Sequence, residues 1–265
     1  MKIFNLRGVY QWTLAVIGSI FLVSTALAAP ISLTALDLGY TQDFDTLANT
    51  GTSSTLPAGW EFNESGTNAN TTYTAGTGSS NAGDTYSFGA IASTERAFGG
   101  LQSGSLIPTI GAIFINNTGA TITSLEIAYT GEQWRLGTTS RSDRIDFQLS
   151  TNATSLTTGV YTDYDALDFS SPITAGTVGA LNGNLAANST ALSSAVSGLA
   201  IANGATFWIR WTAFDATGAD DGLAVDHFSL TPRGTAITPV PEPSLMVLLG
   251  ISMASIVGLR RSLKD

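Results

Sequence analysis

The sequence predicts an all-β fold, a two-sheet β-sandwich of jelly-roll type, and three observations predict it. Gly, Ser, Thr, Asn and Ala dominate, while charged residues make up only 12% of the 265. No apolar period of 3.6 residues runs through the central part of the chain. Instead, about nine short alternating or apolar stretches recur between clusters of turn residues.

The first element lies outside that fold. Lys2 and Arg7 form a basic start, Trp12 to Val23 an apolar run, and Ala26-Leu27-Ala28 a small-x-small cleavage site before Ala29. Residues 1–28 are therefore expected to be a helical signal peptide cut between Ala28 and Ala29. The body that follows, residues 29–239, is long enough for one sandwich domain with a single core.

Strands are expected at Tyr40–Phe44, Trp60–Asn63, Thr85–Phe88, Ile107–Asn116, Ile122–Thr130, Arg144–Ser150, Ala166–Phe169, Thr206–Phe214 and Leu223–Leu230. Asn117-Thr118-Gly119 reads as the turn of a hairpin. Residues 49–83 and 174–198 read as long loops, the second with room for a short helix.

The whole chain carries a net charge of −9, and five of its 11 cations (Lys2, Arg7, Arg260, Arg261, Lys264) lie in the two end segments. The body is therefore more acidic than the whole, which disfavours nucleic acid and anionic lipid and favours divalent cations. With no cysteine, disulfides and thiolate metal sites are excluded.

Strand alternation assigns faces. Ile145, Phe147 and Leu149 are expected in the core, which turns Arg144, Asp146 and Gln148 outward. Leu125, Ile127 and Tyr129 point inward, leaving Glu126, Thr130, Glu132 and Trp134 opposite. Phe207, Ile209 and Trp211 point inward, leaving Trp208, Arg210 and Thr212 opposite. A face carrying Trp208, Arg210, Trp134, Glu132, Arg144, Asp146 and Gln148 has what a sugar ring needs: indole plates for its CH groups and planar polar partners for its hydroxyls. The competing expectation is a solvated face covered by loops.

In the last strand, Asp226 alternates with Ala224, Phe228 and Leu230 and so falls on the inward face. A carboxylate there needs a partner, and calcium held by Asp226 with Asp43, Asp45 and Asp221 is one expectation, near Asp215 and Asp220; a hydrogen-bonded structural Asp is the other. The acidic run Asp163 to Asp168 reads as a solvated turn. His227 alone cannot make a zinc site. No nucleophile elbow or phosphate loop appears, and no catalytic residue is assigned. A polysaccharide-cleaving enzyme would need two opposed carboxylates, which Glu132 with Asp146 or Glu126 would supply.

The last segment reads VPEPSLMVLLGISMASIVGLRRSLKD, residues 240–265. Its Pro-Glu-Pro knuckle precedes a 15-residue apolar run, Leu245 to Leu259, of about 22 Å as a helix and so short for a bilayer core of about 30 Å. Pro241, Glu242, Pro243, then the run, then Arg260 and Arg261 resemble the PEP-CTERM sorting signal of exported bacterial proteins. That resemblance implies a short transmembrane helix, transient membrane insertion, cleavage by an exosortase-type enzyme, and delivery to the cell envelope, outer surface or extracellular polymer matrix. Less of the chain carries a second likeness: QDFDTL (Gln42 to Leu47), LPAGW (Leu56 to Trp60) and DDGLAVDHFSL (Asp220 to Leu230) resemble the first and last strands of adhesin-like and MAM-like jelly-roll domains. It implies a non-catalytic module binding glycan or a surface partner, sometimes with structural calcium. The expectation is thus an exported binding module; the alternatives are the cleaving enzyme or a purely structural matrix protein.

Overall fold

In a computed structural model, residues 29–235 are described; the expected signal segment (1–28) and sorting segment (240–265), and the two helices expected in them, lie outside the described residues. The strands are β1 (Ile31–Leu33), β2 (Tyr40–Gln42), β3 (Thr52–Ser53), β4 (Trp60–Ser65), β5 (Tyr73–Gly76), β6 (Asp84–Phe88), β7 (Ala97–Leu101) and β8 (Ile107–Asn116). They continue as β9 (Thr121–Leu136), β10 (Arg144–Ser150), β11 (Thr162–Asp163), β12 (Phe169–Ser170), β13 (Gly179–Ala180), β14 (Ser189–Ile201), β15 (Thr206–Ala213) and β16 (Gly222–Thr235). Among the described residues the only helical element is a single 3-10 turn, Asp165–Leu167.

The strands form two sheets. The first runs β8–β15–β10, with β1 and β4 along the far side of β8 and β11 and β12 along β10. The second runs β14–β9–β16, then β2 and β7 side by side on β16, then β6, β5 and β3; β13 extends the β14 edge. Consecutive long strands alternate between sheets: β8, β10 and β15 in the first, β9, β14 and β16 in the second. Each connection between them therefore crosses from layer to layer.

That wiring corrects the expected hairpin. Asn117-Thr118-Gly119 joins β8 to β9, which lie in different sheets. Buried Asn116 organises the corner: its Oδ1 accepts from Thr118 N at 3.0 Å and Thr118 Oγ1 at 2.8 Å, while its Nδ2 donates to the carbonyls of Ala120 and Ile201, both at 2.8 Å. An Asx turn and a hairpin turn share residue types, and only the partner strand tells them apart. The short helix placed in 174–198 is also overturned. Residues from Ser189 onward form β14, paired antiparallel with β9 from Ser189↔Glu132 to Ser197↔Ser124. Of Ala166–Phe169, only Phe169 is in a strand.

Among the described residues the core lies between the two sheets and takes side chains from both. Every residue assigned inward on β9, β10 and β15 is buried there. At its centre Trp60 stacks on Trp211 at 6.1 Å, and Tyr129, Phe147 and Phe228 meet the Trp211 ring edge-on at 5.3, 5.1 and 5.7 Å. Edge-on and offset contacts at these separations are the favoured geometries of aromatic pairs.

Candidate functional site

The seven residues expected to share a ligand face do not share one. Trp208, Arg210, Arg144, Asp146 and Gln148 lie on the first sheet, whereas Glu132 and Trp134 belong to β9 in the second.

On the first sheet the expected indole plate is covered. Residues 151–161 fold back over the outer face, and Trp208 is fully buried with Ile113, Ala153 and Leu156, with Tyr161 packed alongside. Ser150 Oγ accepts from Ala153 N at 3.0 Å, and Asn152 Oδ1 from Val160 N at 2.9 Å, closing the loop on itself. Arg210 fastens it to the sheet: its Nε donates to Gln148 Oε1 at 2.8 Å, its NH1 donates to the Leu156 carbonyl, and the guanidinium lies 3.7 Å from the Tyr161 ring centre. Arg144 bonds Asp146 and approaches Asp168 at 3.6 Å. The face is thus covered over Trp208, where Arg210 binds the loop, whereas Arg144, Asp146 and Gln148 are half-exposed and pair largely along and between strands.

On the second sheet Trp134 is buried too. Phe88 stacks on it at 6.1 Å, and the 181–188 loop passes so close that a Cβ on Gly183 would meet Nε1 at 2.3 Å. The indole Nε1 donates to Glu132 Oε2 at 2.9 Å. β9 has one extra residue here, since Gln133 and Arg135 pair with Leu223 and Gly222.

A second bulge corrects the placement of Asp226. Asp226 pairs with Thr130 and Ser229 with Ala128, so His227 and Phe228 together oppose one residue of β9. His227 takes the extra step, with φ +48°, a left-handed backbone unusual for a residue with a side chain. Alternation therefore flips there. Leu223 and Val225 join the core with Phe228 and Leu230, while Ala224 and Asp226 turn to the outer face.

On that face Asp226 meets Glu132 and Glu95, their oxygens all within 4.8 Å of one another. His227 N donates to Asp226 Oδ1 at 2.7 Å, and His227 Nδ1 lies 2.6 Å from Asp226 Oδ2. Burial pushes the Glu132 carboxyl up to about 7 against the Trp134 hydrogen bond, and pushes Asp226 to about 7 despite its bond from His227. The four residues expected to share calcium are not gathered. Asp43 and Asp45 stay exposed, with Asp45 Oδ1 accepting from Arg96 N at 3.1 Å. Asp221 sits elsewhere, accepting from Gly137 N at 2.6 Å and Gln133 Nε2 at 2.8 Å.

The face continues as a trough beside this cluster. Register lines up Ser193, Ala128, Ser229 and Thr41 in one row across β14, β9, β16 and β2. A neighbouring row holds Ala195, Glu126 and Thr231. The small side chains leave a groove of about 420 Å³, lined by Glu126, Ala128, Ser193, Ser194, Ser229 and Thr231 among others. Arg233 bridges Glu126 of this lining to Asp37. A second hollow of about 290 Å³ opens by Thr41, Asp43 and His227. No aromatic plate marks this row; its signal in the sequence is the alternation of Ser and Ala in β14.

No family model matches the chain, and no curated protein does. Among solved structures, the chain is similar to TmCBM61 in complex with β-1,4-galactotriose, at 10% identity over 66% of this chain and 88% of that one, with a TM-score of 0.33. It is similar to the enzymatically active domain of tailspike protein 4 of bacteriophage CBA120, at 8% identity over 66% of this chain and 19% of that one, TM-score 0.34. A third match, CBM4, has 16% identity over 52% and 91%, TM-score 0.26. Overlaps this slight transfer no residue role to this chain.

Proposed function

We propose that this chain is an exported, non-catalytic β-sandwich module of jelly-roll type that binds a neutral polysaccharide in the trough of its second sheet. The trough carries the reading: it is open, its size is that of a ligand cleft, and its floor offers hydroxyls among small side chains that leave room for a sugar chain. Its border holds three carboxylates, Glu126, Asp37 and Asp43, against one cation, Arg233, which pairs with the first two; the remaining negative charge disfavours polyuronates and other polyanions. The carboxylates of Glu132 and Asp226 are too close and too deeply buried to flank an open substrate groove, which weighs against cleavage. Delivery to the envelope or extracellular matrix, through a membrane intermediate and an exosortase-type enzyme, belongs to the same proposal and rests on residues 240–265.

A glycan array with residues 29–239 tests it. Neutral glycans are expected to bind and polyuronates not, and Ala128→Ile, which fills the floor with an apolar branch, is expected to weaken binding at least about tenfold with an unchanged melting temperature. No binding to any neutral glycan leaves a structural matrix protein as the better account.

Structural calcium stays in the proposal through Asp226, with Glu95 and Glu132 in place of Asp43, Asp45 and Asp221. Millimolar calcium is expected to raise the melting temperature at pH 7.5 by mass action, and Asp226→Asn to remove the rise. An unchanged melting temperature on adding calcium to the unmodified chain rejects the site.

A further inference from the structure

We infer that β14 is a pairing edge at which two copies of this chain join, antiparallel about Ser193, into one continuous sheet. The inference stands apart from any glycan in the trough.

Edge strands expose unpaired backbone groups, and proteins protect them by shortness, charge or proline. The other edges here are protected: β3, β11 and β12 have two residues each, β1 has three, and β4 carries Glu61 and Glu64. β14 has 13 residues, STALSSAVSGLAI, with no charge and no proline. Among the described residues it pairs with β9 alone. In an acidic chain this makes it the long edge along which a second, equally acidic copy meets no opposing carboxylate from the strand itself.

The ladder shows which groups face the open side. Gln133 N donates to Asn188 O at 2.8 Å, so 133 and 188 are a bonded pair. Bonded and non-bonded pairs alternate along an antiparallel ladder. Ser189, Ala191, Ser193, Ala195 and Ser197 are then the non-bonded partners of β9, with N–H and C=O turned to the open edge.

These five residues read Ser-Ala-Ser-Ala-Ser, a pattern symmetric about Ser193. A two-fold axis through Ser193, normal to the sheet, places Ser193 opposite its own copy, Ala191 opposite Ala195, and Ser189 opposite Ser197. Every outward N–H and C=O of one strand then meets its counterpart on the other, which is the self-complementarity that a two-fold interface requires. On the inner face Thr190 meets Val196, which is close to it in shape, and Leu192 meets Ser194. The same axis joins the two rows through Ser193 end to end, so the troughs of both copies form one longer channel floor.

Sedimentation of residues 29–239 on serial dilution, with amide exchange read at each step, tests this. A dimer that dissociates on dilution is expected, with the amides of Ala191, Ser193 and Ala195 protected in the dimer and released in the monomer. Two variants outside the groove lining block the edge. Ala191→Pro removes one outward N–H without touching the bonds to β9, and Ser197→Lys adds a charge; each is expected to weaken association by about tenfold or more. If Ala191→Pro fails to fold, Ser197→Lys alone decides. A chain that is monomeric at every concentration overturns the inference. So does a dimer that folded variants leave intact, or one whose amide protection lies away from β14.

Discussion

Trp211→Ala is expected to destabilise the domain by about 3–5 kcal/mol, the cost of removing a large aromatic from a filled core. The ring is held on several sides by Trp60, Tyr129, Phe147 and Phe228, which come from both sheets, so little of the vacated space can close. Trp208→Ala is the informative comparison, because the two tryptophans lie on opposite faces of one strand. An exposed Trp208 would cost little stability and much ligand affinity. Buried under the 151–161 loop, it is expected to cost about 2–4 kcal/mol, somewhat less than Trp211 because the loop can settle into the gap. Glycan binding at the trough is expected to survive Trp208→Ala wherever the variant is folded. Urea unfolding curves of both variants beside the unmodified chain measure this; a Trp208→Ala that unfolds like the parent and loses binding would return the ligand face to the first sheet.

The difference between the two tryptophans marks what the sequence can and cannot tell. Period two is a local property of a strand, so the inward sets on β9, β10 and β15 were legible, and with them the layered all-β body. Whether an outward face is open depends on where a distant loop lands. Nothing in TNATSLTTGVY states that its Leu156 and Tyr161 will close over Trp208. Bulges defeat the same arithmetic: one extra residue at His227 reverses every assignment before it, and His227 has none of the glycine signal that usually betrays a left-handed step. Wiring is harder still, since Asn117-Thr118-Gly119 turns the chain equally well within a sheet or between two. The trough was hidden for another reason. Its floor is made of Ser, Ala and Thr, residues that carry no chemical signature until four strands align them.

Mild acid is expected to stabilise this domain, against the usual trend. Burial is the largest cause of a raised carboxyl in Glu132 and Asp226, both pushed to about 7, and in Asp220, pushed to about 6 although Arg141 opposes the shift. Burial also raises Asp84, Asp163, Asp168 and Asp221, whereas Glu126, bonded to Arg233, shifts down. A carboxyl raised by folding holds its proton more tightly in the folded chain than in the unfolded one. Between the unfolded value, about pH 4, and about pH 7 the folded chain carries more protons, so stability falls as pH rises through that window and levels off above it. The melting temperature in chelator-containing buffer is expected to be about 5 °C or more higher at pH 5 than at pH 7.5. Glu132→Gln with Asp226→Asn replaces two repelling carboxylates by neutral amides of the same shape. The pair should raise the melting temperature at pH 7.5 and flatten the profile, leaving the smaller slope that Asp220 and the other raised groups supply. A melting temperature that climbs from pH 5 to pH 7.5 in the unmodified chain would mean that these carboxylates are ionised and satisfied in the folded state, and the buried cluster would then need a cation or a donor to hold it together.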